Sequence, residues 1–238
     1  MTNTPHKVLV LDVGGSHVKV RMSGQRSPVK IVSGPLYTPH DMIASVQAAT
    51  AGWTFDAASI GYPGPVGADG PAVEPAHLGP GWVGFDFARA LGVPVRVIND
   101  AAMQAIGGFR GGHMLFLGLG TGLGSAVVVE GHLQPLELAH LPYRKERTFE
   151  EYVGEASRVA RGNKRWRHFV VDMVTRLGAA MQCADVLLGG GNARFFAKHL
   201  GDLPEGTRLG GNADAFRGGI RLWQSPEERA LTSRERSG

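Results

Sequence analysis

Two glycine turns of similar design, set far apart in the chain, carry the clearest chemical signal in this sequence. Each follows an apolar run and leads into a second β-branched run. Glycine lets the backbone turn tightly, and successive N–H groups then form a concavity that binds anions. Two such turns predict a chain that holds a row of phosphates, which points to phosphoryl transfer. The turn residues are Gly14, Gly15 and Ser16 in the first, and Gly120, Thr121, Gly122 and Gly124 in the second.

Two aspartates stand where phosphoryl transfer needs carboxylates. Asp12 directly precedes the first glycine turn, where it suits Mg²⁺ held through water; the alternative is a turn aspartate bonded to its own backbone. Asp100 follows a predicted strand and begins a predicted helix, whose dipole helps to keep a carboxylate ionised. A carboxylate there can take the proton of an attacking hydroxyl. The alternative is helix capping by Asn99 and Asp100.

Weaker patterns lie in the second half of the chain. Glu137 and His140 are three residues apart, which suits either a clamp for neighbouring sugar hydroxyls or a solvated turn. Three consecutive glycines after a predicted strand either admit a nucleotide base or form an exit turn. The acidic residues at 150, 151 and 155 are interpreted as a solvated helix face. The three glycines are Gly189, Gly190 and Gly191.

A basic cluster surrounds Trp166 on a predicted helix. We interpret it as a solvated helix face, with a phosphate polymer or nucleic acid as the alternative ligand. Nothing else in the sequence marks a nucleic-acid module, so nucleic acid is not expected as a partner. The cluster consists of Arg158, Arg161, Lys164, Arg165 and Arg167.

Composition narrows the class of protein. The 238 residues are 43% hydrophobic with a net charge of +4, as in a globular protein. The single cysteine, Cys183, excludes an internal disulfide and a multi-cysteine zinc site. No apolar run reaches the roughly 20 residues that a membrane helix needs, and the polar start is unlike a signal peptide. We therefore expect a cytoplasmic protein without a membrane partner.

The order of predicted elements indicates an α/β protein with two similar halves around a cleft. Each half opens with a glycine-turned hairpin and continues into strand–helix units. The glycine-rich segment 107–112 is the predicted boundary. We expect a small domain over 1–110, a larger one over 111–225, and a disordered tail over 226–238 because that end is charged and poor in apolar residues.

Six motifs in a fixed order resemble the ROK (repressor, ORF, kinase) family of sugar kinases, and within it the glucokinases and polyphosphate glucokinases. The resemblance spans roughly residues 7 to 223. The motifs are a first phosphate loop (12–19), a sugar-side loop (61–67), a catalytic segment (98–101), a second phosphate loop (119–126), a sugar-binding segment (137–140) and an adenosine-side turn (188–191).

The resemblance implies the actin/hexokinase-like fold, with two ribonuclease-H-like domains. It implies transfer of a phosphoryl group from ATP or polyphosphate to the 6-hydroxyl of a hexose, with glucose expected first, and with Mg²⁺. Asp100 would be the general base, and Asp12 would organise the metal. The implied phosphate and nucleotide residues are Asp12, Gly14, Gly15, Ser16, Lys19, Gly120, Thr121, Gly122, Gly124, Gly189, Gly190 and Gly191. The implied sugar residues are Pro63, Gly64, His77, Asn99, Asp100, Glu137 and His140.

The sequence departs from the family pattern in informative places. The segment 141–148 contains no cysteine, so we expect no zinc site. His77 stands where the family usually has asparagine, Ala102 where it has a polar residue, and Ala139 where it has glycine. No winged-helix segment precedes Lys7, which argues against a DNA-binding repressor. A homodimer is expected.

Two other functional classes stay open at this point. The first is a non-catalytic sugar or nucleotide sensor on the kinase fold, produced by altered sugar contacts at His77 and Ala102. The second is a nucleotidase-type hydrolase, which would release phosphate without a sugar. Turnover with and without hexoses separates these two classes from a kinase.

Overall fold

The structure, a computed structural model, describes residues 7–211 and 213–234, with side chains only to residue 231 in the last helix. The first part of the chain alternates short strands and helices around one sheet. Its elements are β1 (Val8–Val13), β2 (His17–Met22), β3 (Val29–Val32), α1 (Pro39–Ala49), β4 (Ala57–Tyr62), β5 (Val66–Gly67), β6 (Gly70–Pro71), α2 (Phe87–Leu91), β7 (Val95–Asn99) and α3 (Asp100–Gly108).

The second part repeats the pattern with a much longer helix. Its elements are β8 (His113–Leu119), β9 (Leu123–Val129), β10 (His132–Leu136), β11 (Pro142–Arg144), β12 (Arg147–Thr148), α4 (Glu150–Val153), α5 (Glu155–Ala180), β13 (Asp185–Gly189), β14 (Thr207–Leu209), α6 (Ala213–Arg221) and α7 (Pro226–Arg234). Two short 3₁₀ helices, Gly191–Phe196 and Leu200–Asp202, lie between β13 and β14.

The two large sheets have the same topology. The first has the strand order β3-β2-β1-β4-β7 and the second β10-β9-β8-β13-β14. In each, three antiparallel strands are followed by two strands that run parallel to the central one. The similarity of the two halves that the glycine hairpins predict is therefore confirmed.

The chain divides into two units, each with its own core. The first comprises Met1–Met103 and Ala215–Gln224, and the second Gln104–Asp214 and Ser225–Gly238. The divide falls inside α3, a little before the glycine-rich segment 107–112 that the sequence favours.

The return of α6 to the first unit is not apparent from the sequence. Ala215 and Phe216 pack with Val8, Val10 and Met103 in one buried cluster. Ser59 is fully buried beneath this segment, donates to the carbonyl of Gly219 at 2.6 Å and accepts from the Trp223 indole at 3.0 Å. These partners are distant in sequence, so local patterning carries no signal for them.

The core of the first unit lies under helices whose ends the sequence marks clearly. Thr38 and Asp41 form a capping box at the start of α1, with Pro39 as the first helical residue. Gly92 ends α2 in the left-handed conformation at φ 71°. Trp82 is fully buried in this core.

Helix α7 occupies a segment for which composition predicts disorder. Ser225 and Glu228 exchange hydrogen bonds, with Ser225 N–H donating to Glu228 at 2.7 Å and Glu228 N–H donating to Ser225 Oγ at 3.2 Å. Pro226 is the first helical residue. This capping box explains the helix, and the remainder of the predicted tail, 235–238, lies outside the described residues.

Among the described residues, no helix is both long enough and apolar enough to cross a membrane.

Candidate active site

The first glycine turn connects β1 to β2 in the first unit. Its hairpin is closed by a hydrogen bond from the Gly14 N–H to the His17 carbonyl at 3.1 Å. Asp12 and Lys19 are directly paired across the two strands. This register brings Lys19 Nζ to 2.9 Å from Asp12 Oδ2, in an ion pair whose carboxylate is only 15% exposed. The turn therefore has one cation and one anion at its base.

Asp100 begins α3 at the end of β7, as predicted. The preceding Asn99 caps the helix, because its Oδ1 accepts from the Ala102 N–H at 3.1 Å. The Asn99 amide also donates to the Gly64 carbonyl at 3.2 Å. Asn99 thus performs the capping that was the alternative reading, and it also holds the sugar-side loop after β4.

Sheet geometry brings Asp12 and Asp100 together. Strands β1, β4 and β7 are parallel neighbours, with Asp12 opposite Gly61 and Tyr62 opposite Asn99. The carboxyl ends of parallel strands meet at one edge, where ligands bind in α/β sheets. A Cβ at Gly61 would lie 3.5 Å from the Asp100 Cα and would collide with the end of Met103. Glycine at 61 therefore lets α3 begin close to β4.

Burial and charge both act on the Asp100 carboxyl. Burial is the larger cause and the neighbouring Asp12 the second, and together they raise the pKa of Asp100 from 3.8 to about 7. The Ala101 N–H, which donates to Asp100 Oδ1 at 2.8 Å, and Lys19 oppose this rise. A carboxyl with a pKa near neutrality is suited to accept a proton at physiological pH.

The donor set at this edge fits Mg²⁺. Magnesium is usually held by one or two carboxylates, with waters and substrate phosphates completing the octahedron. Asp12 supplies such a carboxylate at the base of the first glycine turn, and the neighbouring Asp100 adds negative charge to the same edge of the sheet.

The first glycine turn lies against the loop that carries His77. A Cβ at Gly15 would lie 2.9 Å from the His77 Cβ, so the two backbones approach closely only because residue 15 is glycine. Ser33, which sequence reasoning missed, donates to the Gly14 carbonyl at 2.6 Å. His77 itself is exposed. The structure thus brings His77 to the turn, not to the sheet core.

The second glycine turn connects β8 to β9 in the second unit. The Gly120 N–H donates to the Gly122 carbonyl at 3.1 Å, and the Glu155 N–H donates to the Thr121 carbonyl at 3.1 Å. Gly154 is packed so tightly here that a Cβ on it would lie 2.8 Å from the Thr121 oxygen. The start of α5 therefore supports the turn from outside.

The three-glycine turn after β13 lies beside the second glycine turn. Gly190 has φ 78°, and a Cβ on it would collide with the backbone of Leu119. Asn192 follows, is 7% exposed, and donates to the Gly120 carbonyl at 3.3 Å and to Glu155 at 2.7 Å. Asn192 is not among the predicted site residues, although its position directly after a glycine run is a usable signal.

Two glutamates interpreted as a solvated face instead contact the second turn. Glu150 Oε2 accepts from the Leu123 N–H at 3.0 Å. Glu155 accepts hydrogen bonds from Asn192 and from the Arg158 guanidinium, both at 2.7 Å. The bond from Arg158 is the main reason that the pKa of Glu155 falls to about 2. The solvated-face interpretation is wrong for these two residues because the turn folds back over the helix start.

The Glu137–His140 pair is formed at the surface of the second unit. His140 Nε2 lies 3.6 Å from Glu137 Oε1, with the side chains 70% and 66% exposed. The segment before the pair is held by Ser125, which donates to the Leu136 carbonyl at 2.9 Å and accepts from the Leu138 N–H at 3.1 Å. Both side chains are thus available to a ligand.

Some residues of the basic cluster pack or pair within the second unit, and others are exposed to solvent. Trp166 is fully buried and donates to the Val153 carbonyl at 2.7 Å, so it belongs to the core. Arg158 is paired with Glu155, and Arg161 lies over the Tyr152 ring at 5.0 Å. The chain breaks helical geometry at Gly162, with φ 76°. The exposed cations are Lys164 and Arg165.

The fold and the geometry at the strand ends together define a class of protein before any relative is considered. Duplicated five-stranded sheets, each with a glycine-turned hairpin, form the actin/hexokinase-like fold. The solved structures agree. An inorganic polyphosphate/ATP-glucomannokinase from Arthrobacter sp. strain KM has a TM-score of 0.75 and 21% identity, with 97% of this chain and 100% of that chain covered.

Two further structures are of ROK proteins. The ROK hexokinase from Thermus thermophilus has a TM-score of 0.66 and 19% identity, over 98% of this chain and 100% of that one. A ROK family transcriptional regulator has a TM-score of 0.69 and 15% identity, over 98% of this chain and 81% of that one. The fold therefore occurs in enzymes and in a regulator.

The sequence comparisons point to sugar kinases. Kanosamine kinase of Amycolatopsis mediterranei (strain S699) is 30% identical over 146 residues, which are 54% of this chain and 47% of that protein. Polyphosphate glucokinase of Mycobacterium leprae (strain TN) is 25% identical over 217 residues, 80% of this chain and 64% of that protein. The chain thus spans less than two thirds of either relative. No protein-family model matches it. The resemblance to ROK sugar kinases is confirmed.

Proposed function

We propose that the protein is a ROK family sugar kinase. It transfers a phosphoryl group from ATP or polyphosphate to the 6-hydroxyl of a hexose, with glucose as the first substrate to test. The observation that carries this proposal is the Asp100 carboxyl, half-buried beside Asp12 at the carboxyl ends of three parallel strands, where desolvation and the Asp12 charge raise its pKa to about 7. The kinase relatives support the same reaction class.

Asp100 acts as the general base. Phosphoryl transfer requires little covalent chemistry from the protein, and it depends on a positioned proton acceptor and on charge stabilisation. As the sugar hydroxyl attacks the terminal phosphorus, its proton passes to the Asp100 carboxylate. The Ala101 N–H holds Asp100 Oδ1 at 2.8 Å and so orients the group.

The glycine turns hold the phosphates of the donor. Backbone N–H groups, the hydroxyls of Ser16 and Thr121, and the Lys19 ammonium are the donors available in the two turns. The triple glycine at 189–191 would accept the nucleotide when ATP is the donor. When Mg²⁺ is bound, it neutralises charge on the phosphates, and Asp12 would hold it through water.

The sugar contacts are assigned by resemblance. Asn99 and the loop residues Pro63 and Gly64 form one group, and Glu137 with His140 forms the other. The exposure of the Glu137–His140 pair and its separation of 3.6 Å suit two neighbouring hydroxyls. His77, in place of the usual asparagine, is the residue that we expect to change the choice of sugar.

A non-catalytic sensor is the second candidate. The observation in its favour is the similar fold of a ROK family transcriptional regulator. Two buried alanines also favour the sensor: Ala102 stands where the family usually has a polar residue, and Ala139 where it usually has glycine. A homodimer and a cytoplasmic location remain predictions from the resemblance and the sequence.

A donor-by-sugar activity matrix tests the proposal. The full chain is assayed with ATP and with polyphosphate against glucose, mannose, glucosamine and kanosamine, with Mg²⁺ present. Sugar phosphate formed only when both donor and hexose are supplied supports the kinase. Binding of sugar without turnover supports the sensor, and phosphate release without sugar supports a hydrolase.

A further inference from the structure

The β11–β12 hairpin follows directly after the Glu137–His140 pair and is too small to be stable alone. Its strands contain three and two residues. The two residues between them, Lys145 and Glu146, have φ values of 49° and 60°, in the left-handed region that strains residues other than glycine. Isolated two-stranded hairpins are only marginally stable in water. The hairpin therefore depends on contacts with the rest of the second unit.

Asp172 on α5 supplies the polar part of these contacts. Its Oδ2 accepts from the Tyr143 hydroxyl at 2.5 Å and from the Arg144 guanidinium at 3.0 Å. Arg176, one turn further along α5, donates to the same oxygen at 2.9 Å. Burial and the bond to Asp172 raise the pKa of Tyr143 to about 12, so its hydroxyl keeps its proton and donates at physiological pH. One carboxylate thus attaches the hairpin to α5.

Aromatic packing holds the ring of Tyr143. The ring is stacked on Phe149, with centroids 4.6 Å apart, and meets Tyr152 of α4 edge-on at 5.1 Å. Both partners are buried in the core of the second unit. The ring is therefore fixed by the core, and the hydroxyl bond to Asp172 fixes its outer end.

Main-chain hydrogen bonds connect the hairpin to the segment that carries the Glu137–His140 pair. The Phe149 N–H donates to the Leu141 carbonyl at 3.2 Å, directly after the pair. The Glu150 N–H donates to the Ala139 carbonyl at 3.1 Å, between the two members of the pair. The place of the hairpin therefore sets the place of this exposed segment.

We propose that Tyr143 and Asp172 are positioning residues that hold the Glu137–His140 pair where it binds the hydroxyls of the hexose. The inference rests on the proposed sugar role of this pair. Without the bond to Asp172, the segment is in place for only a fraction of the time, and the apparent affinity for the sugar falls by that fraction. Once the sugar is bound, the segment is in place, so kcat and the donor KM do not change.

Steady-state assays of the full chain measure this effect, with the hexose that the wild type phosphorylates fastest in the donor-by-sugar matrix. We expect Asp172→Ala to raise the hexose KM by about tenfold, with kcat and the donor KM within about twofold of wild type. Tyr143→Phe keeps the ring and loses the hydroxyl, so it should raise the hexose KM by about threefold. Because both variants remove the same hydrogen bond, adding Tyr143→Phe to Asp172→Ala should have no further effect.

Hydrogen exchange separates positioning from a general loss of stability. Asp172→Ala should speed exchange of the amides between residues 138 and 150, and bound hexose should restore their protection. Asp185→Ala is the matched control, because Asp185 accepts from Arg208 on β14 at 2.7 Å and its side chain is 26% exposed, against 29% for Asp172. It should destabilise the second unit without changing the hexose KM.

The possible results distinguish this inference from the proposed function. An active Asp172→Ala enzyme with an unchanged hexose KM overturns the positioning role and leaves the kinase proposal intact. Equal rises in hexose KM in Asp172→Ala and Asp185→Ala overturn it too. A wild type that binds a hexose without phosphorylating it sinks the kinase proposal, and the hexose affinities of the same variants then decide. A wild type that binds no hexose overturns both.

A milder substitution covers the case in which Asp172→Ala fails to fold. Asp172→Asn keeps a neutral acceptor oxygen for the Tyr143 hydroxyl and removes the charge that pairs with Arg144. It should raise the hexose KM less than alanine does and leave the donor KM unchanged. Unchanged hexose KM values in both Asp172→Asn and Tyr143→Phe overturn the positioning role.

Discussion

Asp12 raises the pKa of Asp100, and the residue between them on the intervening strand is Gly61. Asp12 on β1 is opposite Gly61 on β4, and the Asp100 Cα lies 3.5 Å from where the Cβ of an alanine at 61 would be. Lys19, cross-strand from Asp12, carries the opposite charge and lowers the pKa of Asp100. Two residues of the first glycine hairpin, which also forms the proposed phosphate site, therefore adjust a pKa that burial raises most.

The pH dependence of activity follows from this arrangement. Asp100 accepts a proton only when ionised, so kcat/KM rises with pH through an apparent pKa of about 7. Asp12→Asn removes the like charge, so the apparent pKa of the kcat/KM profile moves to lower pH. Lys19→Met removes the opposite charge, so the apparent pKa moves to higher pH. Rate profiles of the three proteins from pH 5 to 9 are the measurement, and shifts in the same direction would contradict the account.

The same pKa makes a prediction about stability. An aspartate of pKa 3.8 in the unfolded chain and about 7 in the folded protein binds more protons when folded. Stability therefore falls as the pH rises from 3.8 to about 7. Asp100→Asn abolishes this loss and is expected to stabilise the fold at pH 8 by an amount on the order of a few kcal/mol.

Denaturant unfolding at pH 5 and pH 8 checks this prediction. The gain from Asp100→Asn should be larger at pH 8, because there the wild-type carboxylate is ionised in its buried position. Asp69→Asn, at an exposed turn, is the control and should change stability little at either pH. A gain of equal size at both pH values would show that the substitution acts through something other than the Asp100 charge.

His77 is expected to affect the choice of sugar. His77→Asn restores the residue usual in the family and keeps the Cβ that contacts Gly15, so the turn is not disturbed. We expect the KM for glucose to change by about tenfold, the size of one hydrogen bond gained or lost, with the donor KM unchanged. Gly15→Ala is the contrasting variant, because its methyl would collide with the His77 Cβ and shift both constants. An unaltered sugar profile in His77→Asn would remove His77 from the sugar site.

The exposed cations of α5 are expected to favour polyphosphate. Lys164→Ala/Arg165→Ala removes two charges that have no role in the core. The KM for polyphosphate should rise several-fold at low salt and the KM for ATP should not, because a long polyanion reaches charges beyond the turn that holds its end. Lys145→Ala/Lys198→Ala removes the same charge from other exposed positions. Equal effects of the two double variants would point to net charge alone.

Much of the candidate site can be predicted from the sequence because its residues lie at the ends of strands. A glycine turn after an apolar run predicts where Asp12 lies, and an Asn-Asp pair after another run predicts the start of α3. Parallel strand order then brings Asp12 and Asp100 to one edge. Local pattern and topology agree here, so the prediction needs no knowledge of distant contacts.

Other parts depend on contacts that no local pattern carries. Helical spacing describes Glu150 and Glu155 as exposed, yet the second glycine turn folds onto them. The packing of Phe216 in the first unit is decided by Val8 and Val10, at the other end of the chain. The capping box of α7 was readable as Ser225 followed three residues later by Glu228, but the charged composition pointed the other way.

The most direct test of the central claim is the turnover of Asp100→Asn. Asparagine keeps the size of the side chain and an acceptor for the Ala101 N–H, and it removes the base. With the best donor and sugar of the wild type, kcat should fall by about a hundredfold to ten-thousandfold, while sugar affinity by calorimetry stays within about twofold. A variant that phosphorylates the sugar at nearly the wild-type rate would contradict the account.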